Sequence, residues 1–141
     1  MSEATFPRRD ADGRVVRLPE LLVSIIAGVV LGGVALLIID GLSALAGLGR
    51  FGQLSGWLAG ILPVWLFVEE FRAWRVVVAR MGMALLCGML ALVIGVAGAI
   101  LAAAVLPPLG SGAVGATVSA LLYGALWYVG IRWSANRGVA R

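Results

Sequence analysis

Residues 69–80 read EEFRAWRVVVAR, the only internal run of this chain that is dense in charge. On either side lies an apolar half of similar size. The three arginines Arg72, Arg75 and Arg80 therefore decide which side of a membrane the run occupies, and the rest of the chain is placed relative to it.

Working outward, four apolar stretches stand out, at 21–39, 51–68, 81–105 and 114–131. Each is close to the roughly 17–25 residues that cross a bilayer as helix. The chain is 62% hydrophobic and only 13% charged, with a mean hydropathy of +1.06; soluble domains carry about a quarter charged residues. Lipid is thus the expected solvent for most of the surface. The fold class expected is an all-α integral membrane four-helix bundle made of two transmembrane hairpins.

The five regions flanking these spans hold 4, 1, 3, 0 and 3 arginines in order, and no lysine. Placing the first, third and fifth regions in the cytoplasm puts ten of the eleven inside, as the positive-inside rule asks. Both termini (N-in/C-in) and residues 69–80 are then cytoplasmic. Trp65, Phe67, Phe71, Trp74, Trp127, Tyr128 and Trp133 gather toward the same interface, where aromatic belts belong. Arginine without lysine, beside abundant alanine, glycine and valine, points to a GC-rich bacterial gene and to the inner membrane.

Residues 1–20 carry four arginines and four acids with little to bury, which predicts a mobile cytoplasmic tail. Residues 132–141 form a basic cytoplasmic tail. Ala44-Leu45-Ala46 matches the small-residue pattern of a leader cleavage site. The apolar run before it exceeds the roughly 7–15 residues of a leader core, so it is read as an anchor. Asp40 is expected to end the first span, with 41–49 as an interfacial loop. Pro63 is expected to kink the second span near its cytoplasmic end. Pro107 and Pro108 are expected to stop the third, with 109–112 as a tight turn.

As a helix, 69–80 places Phe71, Trp74 and Val78 on one side, flanked by Arg72 and Arg75. Such a segment lies at the headgroups or docks another membrane or cytoplasmic protein. Small residues also recur at helical spacing. Gly28 and Gly32 mark the first span, Ala84, Gly88, Ala91, Gly95, Ala99 and Ala102 the third, and Ala116, Ala120 and Gly124 the fourth. These stripes are where helices approach closely. Packing within the chain is expected first, and homo-oligomerisation second.

Chemistry is sparse. The chain has no histidine, a single cysteine (Cys87), and no charge in the middle of any span. No catalytic set, metal site or cofactor motif can be assembled from it, and no polar basic face suits nucleic acid. On the outer side, Asp40, Ser43, Arg50, Gln53, Ser55, Thr117 and Ser119 form a polar cluster. Such residues are polar because they lie within reach of headgroups and water, or else they line a shallow pocket, with Asp40 pairing Arg50 or a ligand cation. The function expected is that of a non-enzymatic accessory or scaffold subunit of a larger membrane assembly. The alternative is a small oligomeric carrier or pore for a solute or lipid.

Overall fold

The structure, a computed structural model, describes residues 6–74 and 77–139; the side chains of 77–79 and 137–139 lie outside that description. It is all-helical, with α1 (Leu18–Leu45), a 3₁₀ helix (Gly56–Gly60), α2 (Ile61–Arg72), α3 (Val77–Ala102) and α4 (Pro108–Val139). No strand forms among the described residues. Three segments are long and apolar enough to cross a membrane, Leu18–Leu45, Arg80–Ala102 and Pro108–Asn136. Their outward faces are greasy, as at Val30, Leu31 and Ile38 on α1 and Met89 and Val93 on α3. Water could not solvate such faces without cost, and lipid can.

Helix α4 is the centre of the assembly. Helix α3 packs along it, while α1 and the 3₁₀ helix pack on its other side. The small-residue stripe of α3 faces α4. A Cβ on Gly95 would fall on Ser119 and the Gly115 carbonyl, and Ala99 abuts Gly115. On α1, Gly32 receives the Ala59 carbonyl and Gly28 the Pro63 ring, while Gly124 of α4 makes room for Ile25. Ala84 packs on a cluster around Trp127, Ala91 and Ala120 are buried, and Ala102 closes α3.

Several boundaries differ from expectation. Helix α1 runs through Asp40 to Leu45, because the Asp40 side chain is satisfied by two backbone donors and so need not leave the helix. The second apolar stretch begins as loop and 3₁₀ turn before α2. Pro63 consequently sits in the first turn of α2, where a missing N–H has no intrahelical partner to lose. A mid-helix kink near the cytoplasmic end of a 51–68 span is expected of Pro63, and the structure places Pro63 at the start of α2 instead. Pro108 likewise opens α4, so 109–112 is helix rather than turn. Helix α4 also continues through the basic tail to Val139.

Residues 6–17 lie folded onto the helices, where a mobile tail over 1–20 is expected; residues 1–5 lie outside the described residues. Asp10 Oδ1 accepts the N–H groups of Asp12 and Arg14 at 3.0 and 2.9 Å, and Gly13 turns the chain at φ +83°, a conformation open to glycine. Arg9 and Val15 form an isolated antiparallel bridge. Val15 is fully buried against the ends of α2 and α4.

Candidate functional site

The polar residues expected on the outer side do not share one pocket. Asp40, 3% exposed, accepts the backbone N–H groups of Gly52 and Leu54. Gly52 holds φ +87° to present its N–H. Asp40 is therefore the clamp of the loop at 51–55, and among the described residues Arg50 makes no ion pair with it. Gln53 and Ser55 line a cavity of about 430 Å³ with Ser111. Ser43 lies in the last turn of α1, where its carbonyl accepts the Leu48 N–H. Thr117 Oγ1 donates to the Ala113 carbonyl at 2.7 Å. Ser119 lies elsewhere, facing a larger space described below.

Residues 69–80 do not form one amphipathic helix. Helix α2 ends at Arg72, the chain breaks at Ala73 and Trp74, and α3 starts at Val77; Arg75 and the side chain of Val78 lie outside the described residues. Trp74 is 8% exposed, packed with Trp127 and Ile131, and the Arg14 guanidinium stacks over its ring at 4.4 Å. Phe71 is half-buried, its ring 5.9 Å from that of Trp127. The aromatic pair expected to meet a partner is thus used within the chain.

What turns it inward is Glu70, a residue whose role the sequence reading missed. At 2% exposure its carboxylate accepts the Val15 N–H at 3.0 Å and the Trp74 indole N–H at 3.3 Å, with Arg9 at 3.7 Å. A buried carboxylate is tolerated when it is paired and hydrogen-bonded in this way. The Val15 carbonyl accepts from Arg132, and the Val16 carbonyl accepts from the Tyr128 hydroxyl. The N-terminal segment is thereby strapped across the arginine-rich ends of α2 and α4.

The principal candidate site is a groove of about 830 Å³ between α2 and α3, two helices that scarcely touch each other. Ile61, Val64, Phe67 and Phe71 form one wall, and Gly88, Ala91 and Leu92 the other. Ala116, Ala120 and Tyr123 of α4 make the floor, with the Phe67 and Tyr123 rings meeting edge-on at 4.5 Å. The rim residues Ile61, Val64 and Leu92 are exposed, so the groove opens to the side of the molecule. Its volume lies within the roughly 300–1,000 Å³ of small-molecule sites.

Polar groups in the groove are few and placed at two depths. Ser119 Oγ, midway, is buried without a hydrogen-bond partner among the described residues. At the arginine-rich end stand Arg72 and Arg80. Arg80 Nη1 donates to the Trp74 carbonyl at 2.7 Å, and its guanidinium lies 4.6 Å over the Phe71 ring. Its Nε is buried and has no hydrogen-bond partner among the described residues. Arg72 makes no hydrogen bond or ion pair among the described residues, and the exposed Glu69 does not reach it.

The sequence held a trace of this site, since aromatic residues on one helix and small ones on two others leave unfilled volume when brought together. Nothing in the one-dimensional pattern said which helices would stand apart. Comparison with protein-family models, with curated proteins and with solved structures finds no match for this chain.

Proposed function

We propose that this chain is a non-enzymatic, four-pass protein of the bacterial inner membrane, with both termini cytoplasmic, that holds a lipid in the groove between α2 and α3. The observation that carries the reading is the groove itself, apolar along its length and open to the side where lipid tails lie. Along α2, Ile61 and Arg72 are eleven residues apart, about 16 Å at 1.5 Å per residue. That is close to one leaflet of a hydrocarbon core about 30 Å thick.

Four crossings are supported by length. The 3₁₀ helix of five residues and α2 of twelve together reach about 28 Å at about 2.0 and 1.5 Å per residue. The orientation is supported by arginine placement, with Arg50 alone at the loop end. The accessory-subunit reading depended on an exposed Trp74 and Phe71; their burial favours the carrier alternative. Homo-oligomerisation through a small-residue stripe is disfavoured for α3, whose stripe is occupied by α4.

The test uses the full chain in phosphatidylcholine nanodiscs with a phospholipid carrying a diazirine in its acyl chain. Adducts are expected on Phe67 and Tyr123, above the level on annular positions such as Ile38. Gly88→Leu fills the groove, since a Cβ there meets only Tyr123 Cε2 at 3.9 Å, and should abolish the groove adducts alone. Groove labelling no stronger than annular labelling, or a second protein's helix cross-linked in its place, overturns the reading.

A further inference from the structure

We propose that the groove selects an anionic phospholipid without a cationic headgroup, with its acyl chain between α2 and α3 and its phosphodiester held by Arg72 and Arg80. This rests on the lipid-holding reading above and adds the headgroup.

The argument starts from charge. Two guanidinium groups line one end of the groove, and among the described residues no carboxylate lines it. The two acids nearest in sequence are otherwise placed: Glu69 is exposed and Glu70 is turned to Val15, Trp74 and Arg9. The positive charge at this end is therefore not cancelled from within the groove.

Geometry adds to it. Arg80 is held by its bond to the Trp74 carbonyl and by the Phe71 ring, which fixes its guanidinium at the end of the groove. The Nε is shut off from the groove, so a phosphate oxygen is met by the remaining N–H groups of this half-buried guanidinium, in a charge-assisted hydrogen bond. Arg72, exposed and without a partner among the described residues, supplies the second contact. A planar guanidinium suits phosphate better than an ammonium would. A choline or ethanolamine headgroup would set its own cation beside two arginines, whereas a glycerol headgroup would not.

The same position matches headgroup depth. Arg72 and Arg80 sit where α2 ends and α3 enters its apolar run, so a chain lying along Phe67 and Ala91 leaves its phosphate beside them. The groove and its charged end thus present an apolar slot and an anion clamp in the order that a phospholipid does.

The experiment compares two diazirine-acyl probes, phosphatidylglycerol and phosphatidylcholine, at equal mole fraction in the same phosphatidylcholine nanodiscs holding the full chain. On Phe67 and Tyr123 the phosphatidylglycerol probe should give roughly five-fold more adduct or better, the preference one interfacial arginine confers. On Ile38 the ratio should be near one. Arg72→Gln should pull the groove ratio toward one while groove adducts from phosphatidylcholine persist. Since Arg72 has no partner among the described residues, loss of folding is not expected to mask the result. Arg80→Gln should act in the same direction. A ratio of one in the unmodified protein, with groove adducts present, overturns the headgroup proposal and leaves the groove reading standing. Absence of groove adducts from both probes overturns the groove reading instead.

Discussion

The Glu70 carboxylate accepts the backbone N–H of Val15, fifty-five residues earlier in the chain, at 3.0 Å. One side chain at the end of α2 thereby anchors the N-terminal segment and, through the Trp74 indole, orients the aromatic residue that follows it. Glu70→Ala would strand the Val15 N–H and the Trp74 indole N–H. A loss of about 1–3 kcal/mol is expected, read as a lowered thermal midpoint in detergent. Limited proteolysis should also cut faster between residues 8 and 17. Glu70→Gln, which keeps an acceptor, should fall between the two.

Asp40 does for the opposite end what Glu70 does for this one. Asp40→Ala removes the acceptor for Gly52 and Leu54 N–H together. Loss of hydrogen bonds to a charged acceptor is expected to cost about 1.5–3 kcal/mol. Because Asp40 does not line the groove, lipid labelling in the protein that remains folded should be unchanged. A large fall in labelling at full stability would show that Asp40 acts on ligand.

The α3 and α4 contact depends on the absence of a side chain at Gly95. Gly95→Ala places a methyl on Ser119 and 2.7 Å from the Gly115 carbonyl, an overpacking expected to cost about 1–3 kcal/mol. Gly33→Ala is the matched control, because nothing lies within 4 Å of its added methyl. Helix propensity should make it neutral or slightly stabilising. Equal thermal midpoints for the two variants would contradict the packing described.

Membrane orientation can be read with single cysteines, since Cys87 is 4% exposed and should stay silent to a membrane-impermeant maleimide. In intact spheroplasts, Arg50→Cys should label and Arg17→Cys should not. Arg17→Cys should label only after permeabilisation. The reverse pattern would invert the topology proposed here.

By itself the sequence determined the solvent and the helical class. A mean hydropathy of +1.06 with 13% charge leaves too little polarity to face water, and long apolar runs in lipid must satisfy their backbone internally, as helix. It also marked Gly32, Gly95 and Gly124 as close-approach points, since period and residue size are local properties. Tertiary structure decided what depends on partners. Asp40 read as the end of a helix and became a buried clamp, because its two donors come from a loop twelve and fourteen residues away. Trp74 read as an exposed anchor and became core, because Glu70, Arg14 and Trp127 converge on it from three elements. The groove exists because α2 and α3 each pack on other elements and hardly on one another, and an unfilled volume between two helices belongs to neither helix's sequence.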